Sequence, residues 1–320
     1  MSTAGSPDPE YGTKPPLALI AGPTASGKSD LAVDLALALQ AQGRDAAIIN
    51  CDSAQVYRDL HALSARPTEE EMRGVTHHLF GTWDGAIACS TTDWARRAKT
   101  IVAQCHAGRI VPILVGGTGL YIRTLLDGIS PIPPIDPGVR AHVRGMSRED
   151  ARAALNGEDP EAAARLAPAD TTRTMRALEV VRSTGRPIAH YHGKQEGGIG
   201  ASIDLHPLIL SPDRATLYER CDMRFVRMLD GGAIEEVERL SARHLDPQLP
   251  VMRAIGVREI MAFLRGDIDR TTLIGRGMLA TRQYAKRQFT WFRNQPPSDW
   301  PRTEANAKRD LAPFERLFHK

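Results

Sequence analysis

The sequence predicts an α/β fold, with a parallel sheet covered by helices on both faces, a helical insertion subdomain and a helical C-terminal region. Three observations predict it. Short apolar runs alternate with stretches of helical periodicity. The first run leads into "GPTASGKS" (residues 22–29), which fits the phosphate-loop pattern G-x-x-x-x-G-K-[ST]. After about Thr124 the pattern breaks into a proline-rich connection, and an apolar strand returns only at residues 203–213.

Taken in order, "PLALIAG" reads as a buried strand ending at the phosphate loop. "SDLAVDLALALQAQG" follows with helical spacing and stops at Gly43. "DAAIINCDS" is a second strand with Asp52 at its carboxyl end. "TTDWARRAKTIVAQCHAGR" reads as a helix that starts between Ser90 and Asp93 and stops at Gly108. "IVPILVGGTGLY" is a third strand running into a glycine-rich turn. In parallel sheets of this kind ligands bind at the carboxyl ends of the strands. The phosphate loop, Asp52 and "GGTG" (residues 116–119) are therefore expected on one sheet edge.

"GISPIPPIDPGVR" reads as a connection, residues 139–182 as helical, and "STGRPIAHYHGKQEGGIGA" as a loop. "IDLHPLILSPD" returns as a strand, and the final third is mostly helical. The predicted organisation is a disordered tail over residues 1–15, a phosphate-loop core over 16–124 and 200–320, and a helical insertion over 125–199.

The 320 residues are 42% hydrophobic and 25% charged, with a formal net charge of +3, the composition of an ordinary globular protein. No apolar run approaches the roughly 18 residues of a spanning helix, so no membrane partner is expected. "MSTAGSPDPEYGTKPP" lacks the apolar stretch of a signal peptide. Cys51, Cys89, Cys105 and Cys221 are far apart with no C-x-x-C pair, which argues against a zinc site or disulfide framework and suits a cytoplasmic, reducing location.

In the loop, the glycines let backbone N–H groups turn onto phosphate oxygens, Lys28 reaches the outer phosphate, and Ser29 can ligate Mg²⁺. Asp52, in "NCDSAQVY", suits either a proton acceptor or a metal-bound water, or else a helix N-cap. Gln55 offers an amide to a base edge, or is a solvated polar residue. Thr118 puts a hydroxyl in the "GGTGLY" turn, which could equally be an ordinary strand-to-helix connection. His77 and His78 are adjacent, a poor spacing for two metal ligands, and read better as capping or packing residues.

"TRQYAKRQFTWFR" (residues 281–293) carries Arg282, Lys286, Arg287 and Arg293 with no acid. Arg282, Lys286 and Arg293 share one helical face. Tyr284, Phe289, Trp291 and Phe292 are interleaved, as for stacking on unpaired bases, or as the buried face of an amphipathic helix. Arg173, Arg176, Arg182 and Arg186 cluster in "TRTMRALEVVRSTGR" against one acid. Two basic segments in separate subdomains point to a polyanion held between them.

These motifs, in this order, resemble the tRNA dimethylallyltransferase (tRNA isopentenyltransferase) family. The resemblance runs from about Leu17 to Arg293 through "GPTASGKS", "DSAQVYR", "HHL", "VGGTGLY", "PPIDPGVR", "RALEVVRSTGRP", "LYERCDMRFVRMLDGGAIEEV", "AIGVRE" and "AKRQFTWFR". It implies a nucleotide-kinase-like core and transfer of a dimethylallyl group from its diphosphate to N6 of the adenosine 3′-adjacent to the anticodon, tRNA position 37. It implies that residues 22–29 (Gly22, Pro23, Thr24, Ala25, Ser26, Gly27, Lys28 and Ser29) hold the diphosphate, with Mg²⁺ on Ser29. Asp52 is then the general base, and Thr118 and Arg224 line the reacting centre. Asp52, Ser53, Ala54, Gln55, Thr118 and Arg140 would contact the tRNA, whose anticodon stem-loop Arg173, Arg176, Arg282, Lys286, Arg287 and Arg293 would grip. A monomer is expected.

Two stretches depart from the family pattern. "LSARP" (Leu63–Pro67) stands for the commoner "GTAKP", so the loop lacks a glycine, and Val257 in "AIGVRE" stands where an aromatic is common. The competing readings are a small-molecule kinase on the same core, a prenyltransferase acting on free adenine nucleotides, and a non-catalytic RNA-binding regulator. The kinase leaves the basic C-terminal segment unexplained, and the regulator leaves Lys28, Ser29 and Asp52 unexplained.

Overall fold

A computed structural model describes residues 14–304 and 310–319. The expected disordered tail lies, apart from Lys14 and Pro15, outside the described residues. The chain divides into two compact units, residues 127–198 and the remainder.

In the larger unit the chain runs β1 (Pro16–Ala21), α1 (Lys28–Ala41), β2 (Ala46–Asn50), α2 (Glu69–Met72), β3 (Thr76–His78), α3 (Thr91–Ala107), β4 (Val111–Gly116) and α4 (Gly119–Leu126). Every residue of β1, β2 and β4 is buried, as expected for strands covered on both faces. Side chains alternate between two cores. Leu17, Leu19 and Ile49 face one, with Trp94 of α3 and Tyr121 of α4, while Ala18, Ile20 and Ile48 face the other, with Leu35 and Leu39 of α1. Ser90 caps α3 by accepting from the Asp93 N–H, and the helix gives way at Gly108.

The smaller unit begins with β5 (Gly128–Ile129), continues through α5 (Pro137–Gly145), α6 (Arg148–Glu158), α7 (Pro160–Arg165) and α8 (Thr171–Thr184), and ends with β6 (Glu196–Gly197). β5 and β6 pair antiparallel. Asp136, Ser147, Asp159 and Asp170 cap the four helices through their side chains. Val143, Leu155, Ala163 and Leu178 give the unit a core of its own. A short chain can afford such a satellite domain because its small core is supplemented by a cap on every helix.

The larger unit resumes with β7 (Asp204–Leu210), α9 (Arg214–Met228), α10 (Ile234–Ser241), α11 (Val257–Leu264), α12 (Arg270–Asn294) and β8 (Arg302–Thr303). The sheet order is β3-β2-β4-β1-β7-β8, and all its pairings are parallel. β3 and β8 are edge strands that the sequence reading did not anticipate; each is three residues or fewer, too short for a periodic signal. Among the described residues no helix is long and apolar enough to cross a membrane.

The two departures from the family pattern are absorbed by packing. The loop at residues 61–65 needs no glycine. The buried Glu236 carboxylate accepts from the N–H groups of His61 (2.8 Å), Ala62 (2.8 Å) and Leu63 (3.1 Å), and Ala65 adopts a left-handed φ of 45°. Val257 is fully buried in the core, so the position packs as an aliphatic rather than an aromatic contact.

Candidate active site

The strand order puts β2, β4 and β1 side by side, so the segments leaving their carboxyl ends are neighbours. The loop after β1 is shaped by two left-handed residues, Ala25 (φ 61°) and Gly27 (φ 86°). Gly27 takes that conformation without penalty, and successive N–H groups in such a turn face an anion at the start of α1. Lys28 opens α1 and is buried, its Nζ donating to the Pro23 carbonyl at 3.2 Å. Burial lowers its pKa to about 8, and the Asp52 carboxylate opposes that fall. The Ser26 hydroxyl is buried with no hydrogen-bond partner. Ser29 is exposed on the first turn of α1. An orphaned hydroxyl and a desolvated ammonium in one loop are what an anion would satisfy.

Asp52 lies two residues beyond β2, in a segment that forms no helix, so it is not a helix N-cap. Its backbone is held by Asn50, which accepts from the Asp52 N–H (2.8 Å) and donates to its carbonyl (3.0 Å). The Asp52 Oδ1 accepts from the Ala54 N–H at 3.0 Å, leaving Oδ2 without a protein donor among the described residues. Thr118 is more than an ordinary turn residue. Its Oγ1 accepts from the Ser53 N–H (2.9 Å) and pairs with the Ser53 hydroxyl (3.2 Å). The half-buried Tyr284 of α12 lies beside Thr118 and Ser53, and burial together with the nearby Asp52 charge raises its pKa.

Arg224 reaches this centre from α9. Its Nε is buried without a partner, and burial lowers its pKa against the attraction of Asp52. A cavity of about 290 Å³ opens here. Thr24, Asp52, Ser53, Arg224, Tyr284 and Arg287 are among its polar lining, and Leu60, Leu63, Phe225, Met228, Ala254 and Ile255 are among its apolar wall. The site thus joins an anion cradle and a carboxylate to a hydrocarbon-sized apolar space.

The model of the IPP transferase family matches residues 55–295. A tRNA dimethylallyltransferase of Erythrobacter litoralis is 64% identical over 98% of this chain and 99% of its own length. The chain belongs to the tRNA dimethylallyltransferase family. Another family member, from Novosphingobium aromaticivorans, is 60% identical over 87% of this chain and 99% of its own length. Among solved structures, the tRNA isopentenylpyrophosphate transferase of Bacillus halodurans superposes with a TM-score of 0.64 at 32% identity, covering 91% of this chain and 90% of that one. A eukaryotic dimethylallyltransferase acting on tRNA gives a TM-score of 0.73 at 26% identity, over 87% of this chain and 70% of that one. As a member of the tRNA dimethylallyltransferase family, the chain is a prenyl-transferring enzyme.

Not every family-motif residue faces the cavity. Gln55 is neither solvated nor turned outward: it is buried, and its Nε2 donates to the carbonyls of Ser64 (3.2 Å) and Ala65 (2.7 Å). It braces the loop that also carries Leu63 of the cavity wall. Arg282 is tied to Asp222 at 2.6 Å. Lys286 and Arg293 line a separate cleft with Arg214, Tyr218 and Phe289. Arg140 is exposed on α5, while Arg173 and Arg176 pair with Asp170 (3.2 Å) and Glu179 (3.5 Å) within the smaller unit.

The aromatic stripe of α12 divides between the two roles the sequence left open. Phe292 is buried in the core, and Trp291 packs over Gly119 and edge-on to Phe292 at 5.0 Å. Phe289 sits beside Leu217, Cys221 and Ala285, and only Tyr284 reaches the cavity. The core therefore claims the Phe292 ring, Trp291 is partly covered by its packing on Gly119 and Phe292, and Phe289 lines the separate cleft. His77 turns its Nδ1 to the Val75 carbonyl (2.8 Å) and its ring toward Phe80, a packing role. Among the described residues no three His, Cys, Asp or Glu side chains are grouped as metal ligands, and all four cysteines are free.

Sequence reasoning missed Tyr57, Tyr121 and Arg253 as cavity residues, and Gln288 and Glu236 as braces. Tyr57, Tyr121, Glu236 and Gln288 lie in motifs noted above, but which side chain of a motif meets a cavity or a distant carbonyl depends on how remote segments pack.

Proposed function

We propose that this enzyme moves the dimethylallyl group of dimethylallyl diphosphate to N6 of the adenosine at tRNA position 37, releasing diphosphate. The observation that carries this reading is the cavity itself. An anion-binding loop and a carboxylate meet at the mouth of an apolar chamber, a combination a kinase site has no use for. The new bond joins N6 to the allylic carbon as the carbon–oxygen bond breaks, and its electron pair leaves with the diphosphate. Asp52 takes the proton that N6 sheds.

Adenine N6 is a weak nucleophile because its lone pair is delocalised into the ring. The enzyme's work therefore falls on the leaving group. Lys28, the N–H groups of residues 25–28, the Ser26 hydroxyl and Arg224 supply positive charge and donors where the leaving oxygens gather charge. Mg²⁺ fits beside them: the exposed Ser29 hydroxyl would hold it, and the ion would neutralise part of the diphosphate charge. Thr118, fixed by Ser53 and flanked by Tyr284, presents the turn against which the base is seated.

The adenine must leave its stack to reach such a chamber, so the RNA contacts proposed for Ser53 and Ala54 are those around a flipped base, while Gln55 serves only by bracing the loop at residues 64 and 65. Arg287 at the cavity, Arg282, Lys286 and Arg293 along α12, and Arg140, Arg173 and Arg176 on the smaller unit supply phosphate contacts. Action as a monomer in the cytoplasm completes the reading. Purified enzyme, labelled dimethylallyl diphosphate, Mg²⁺ and unmodified tRNA bearing adenosine at position 37 should give N6-isopentenyladenosine. Phosphoryl transfer from ATP with no prenyl incorporation would refute the proposal.

A further inference from the structure

The reaction proposed above needs two loops at a fixed separation, one holding the diphosphate and one carrying Thr118. The ladder between β1 and β4 ends at Ala21 and Gly116, before either loop begins its work. Beyond that point the gap is spanned by Gln288, from the far end of the chain. Its Oε1 accepts from the Thr24 N–H at 2.8 Å, and its Nε2 donates to the Gly117 carbonyl at 2.8 Å. The side chain is buried on α12. The amide fills the space where a Gly117 side chain would stand, and a Cβ there would also lie only 3.0 Å from the Gly22 carbonyl. Thr24 lines the cavity, and Gly117 immediately precedes Thr118. One turn earlier on the same helix, Tyr284 lies beside Thr118 and Ser53.

We infer that Gln288 is a positioning residue for prenyl transfer, clamping the diphosphate loop and the Thr118 turn at the spacing the in-line reaction requires. This rests on the proposed reaction. An amide is suited to the task because one end accepts and the other donates in a fixed plane. Neither hydrogen bond involves a reacting atom, so the residue acts through loop geometry, where a displacement of about 1 Å costs on the order of 100-fold in rate.

Two variants test it. Gln288→Met keeps the volume and loses both hydrogen bonds. At saturating donor and RNA its kcat should fall by about 10- to 100-fold, with RNA affinity left at the wild-type value. Gln288→Glu keeps the acceptor for Thr24 but, when ionised, cannot donate to Gly117. Protonated, it is the isostere of glutamine, and burial raises the pKa of such a carboxyl. Its kcat relative to wild type should therefore recover as pH falls from about 9 to about 6. Taking the ratio at each pH sets aside the titrations of Lys28, Tyr284 and Arg224, which both proteins share. Far-ultraviolet circular dichroism establishes that each variant is folded, and the Glu variant carries the test should the Met variant not fold.

An unaffected kcat in Gln288→Met, or a Gln288→Glu ratio that stays flat with pH, overturns the inference while an active wild type leaves the proposed reaction standing. A wild type that transfers no prenyl group overturns the reaction and the inference with it.

Discussion

Replacing Asp52 by Asn separates its two roles. The turn survives, because an Asn Oδ1 still accepts from the Ala54 N–H and Asn50 still grips the backbone on both sides. What is lost is the negative charge. As a general base Asp52 is worth about 10²- to 10⁴-fold in rate, so kcat should fall by that amount. A second effect follows from Lys28. Its pKa is already down at about 8, and Asp52 is the largest influence holding it up. Without Asp52 it falls further, so near pH 8 less than half of Lys28 is charged in the free enzyme. The donor KM of Asp52→Asn should therefore exceed the wild-type value at pH 8 and converge on it as pH falls and the lysine recharges. Steady-state kinetics with labelled donor across this range measures both, and tRNA affinity serves as the control. A variant within tenfold of wild-type kcat would refute Asp52 as the proton acceptor. A donor KM ratio independent of pH would refute the coupling to Lys28.

Three further outcomes follow from the same geometry. Lys28→Met should bind donor poorly while melting at or above the wild-type temperature, because the folded state no longer buries an ammonium; a clearly lower Tm would contradict this. Wild-type stability without donor should rise with pH between about 8 and the unfolded lysine value, since the unfolded chain then binds more protons than the folded one, and adding inorganic diphosphate should flatten that rise. Glu236→Ala strands three buried or half-buried N–H donors at residues 61–63, so urea denaturation should show a loss of about 2–4 kcal/mol.

Much of the core was legible because its signals are local. A fully apolar run before a glycine-rich loop specifies a buried parallel strand and a phosphate site together, which is why β1, β2, β4 and β7 fall where the periodicity put them. Asp52 and Thr118 were legible for the same reason: each follows a strand of the parallel sheet, and strand ends converge. Gln55 was not. Whether an amide meets solvent, a base or a carbonyl depends on the loop folded over it, here residues 64 and 65. The α12 aromatics were undecided for a related reason, since spacing shows which residues share a face but not which face the core claims.

By itself, then, the sequence determined the class of sheet, the anion loop, the carboxylate beside it and the resemblance through which the substrate was expected. These follow from backbone periodicity and motif chemistry, which act over a few residues. The tertiary structure alone decided that a helix near the chain's end closes the site. Gln288 lies more than 160 residues beyond Gly117, which it holds, and Tyr284 as far beyond Thr118, which it flanks. Contacts across such separations are set by how α9 and α12 pack on the sheet, a property of the folded whole that no local pattern encodes.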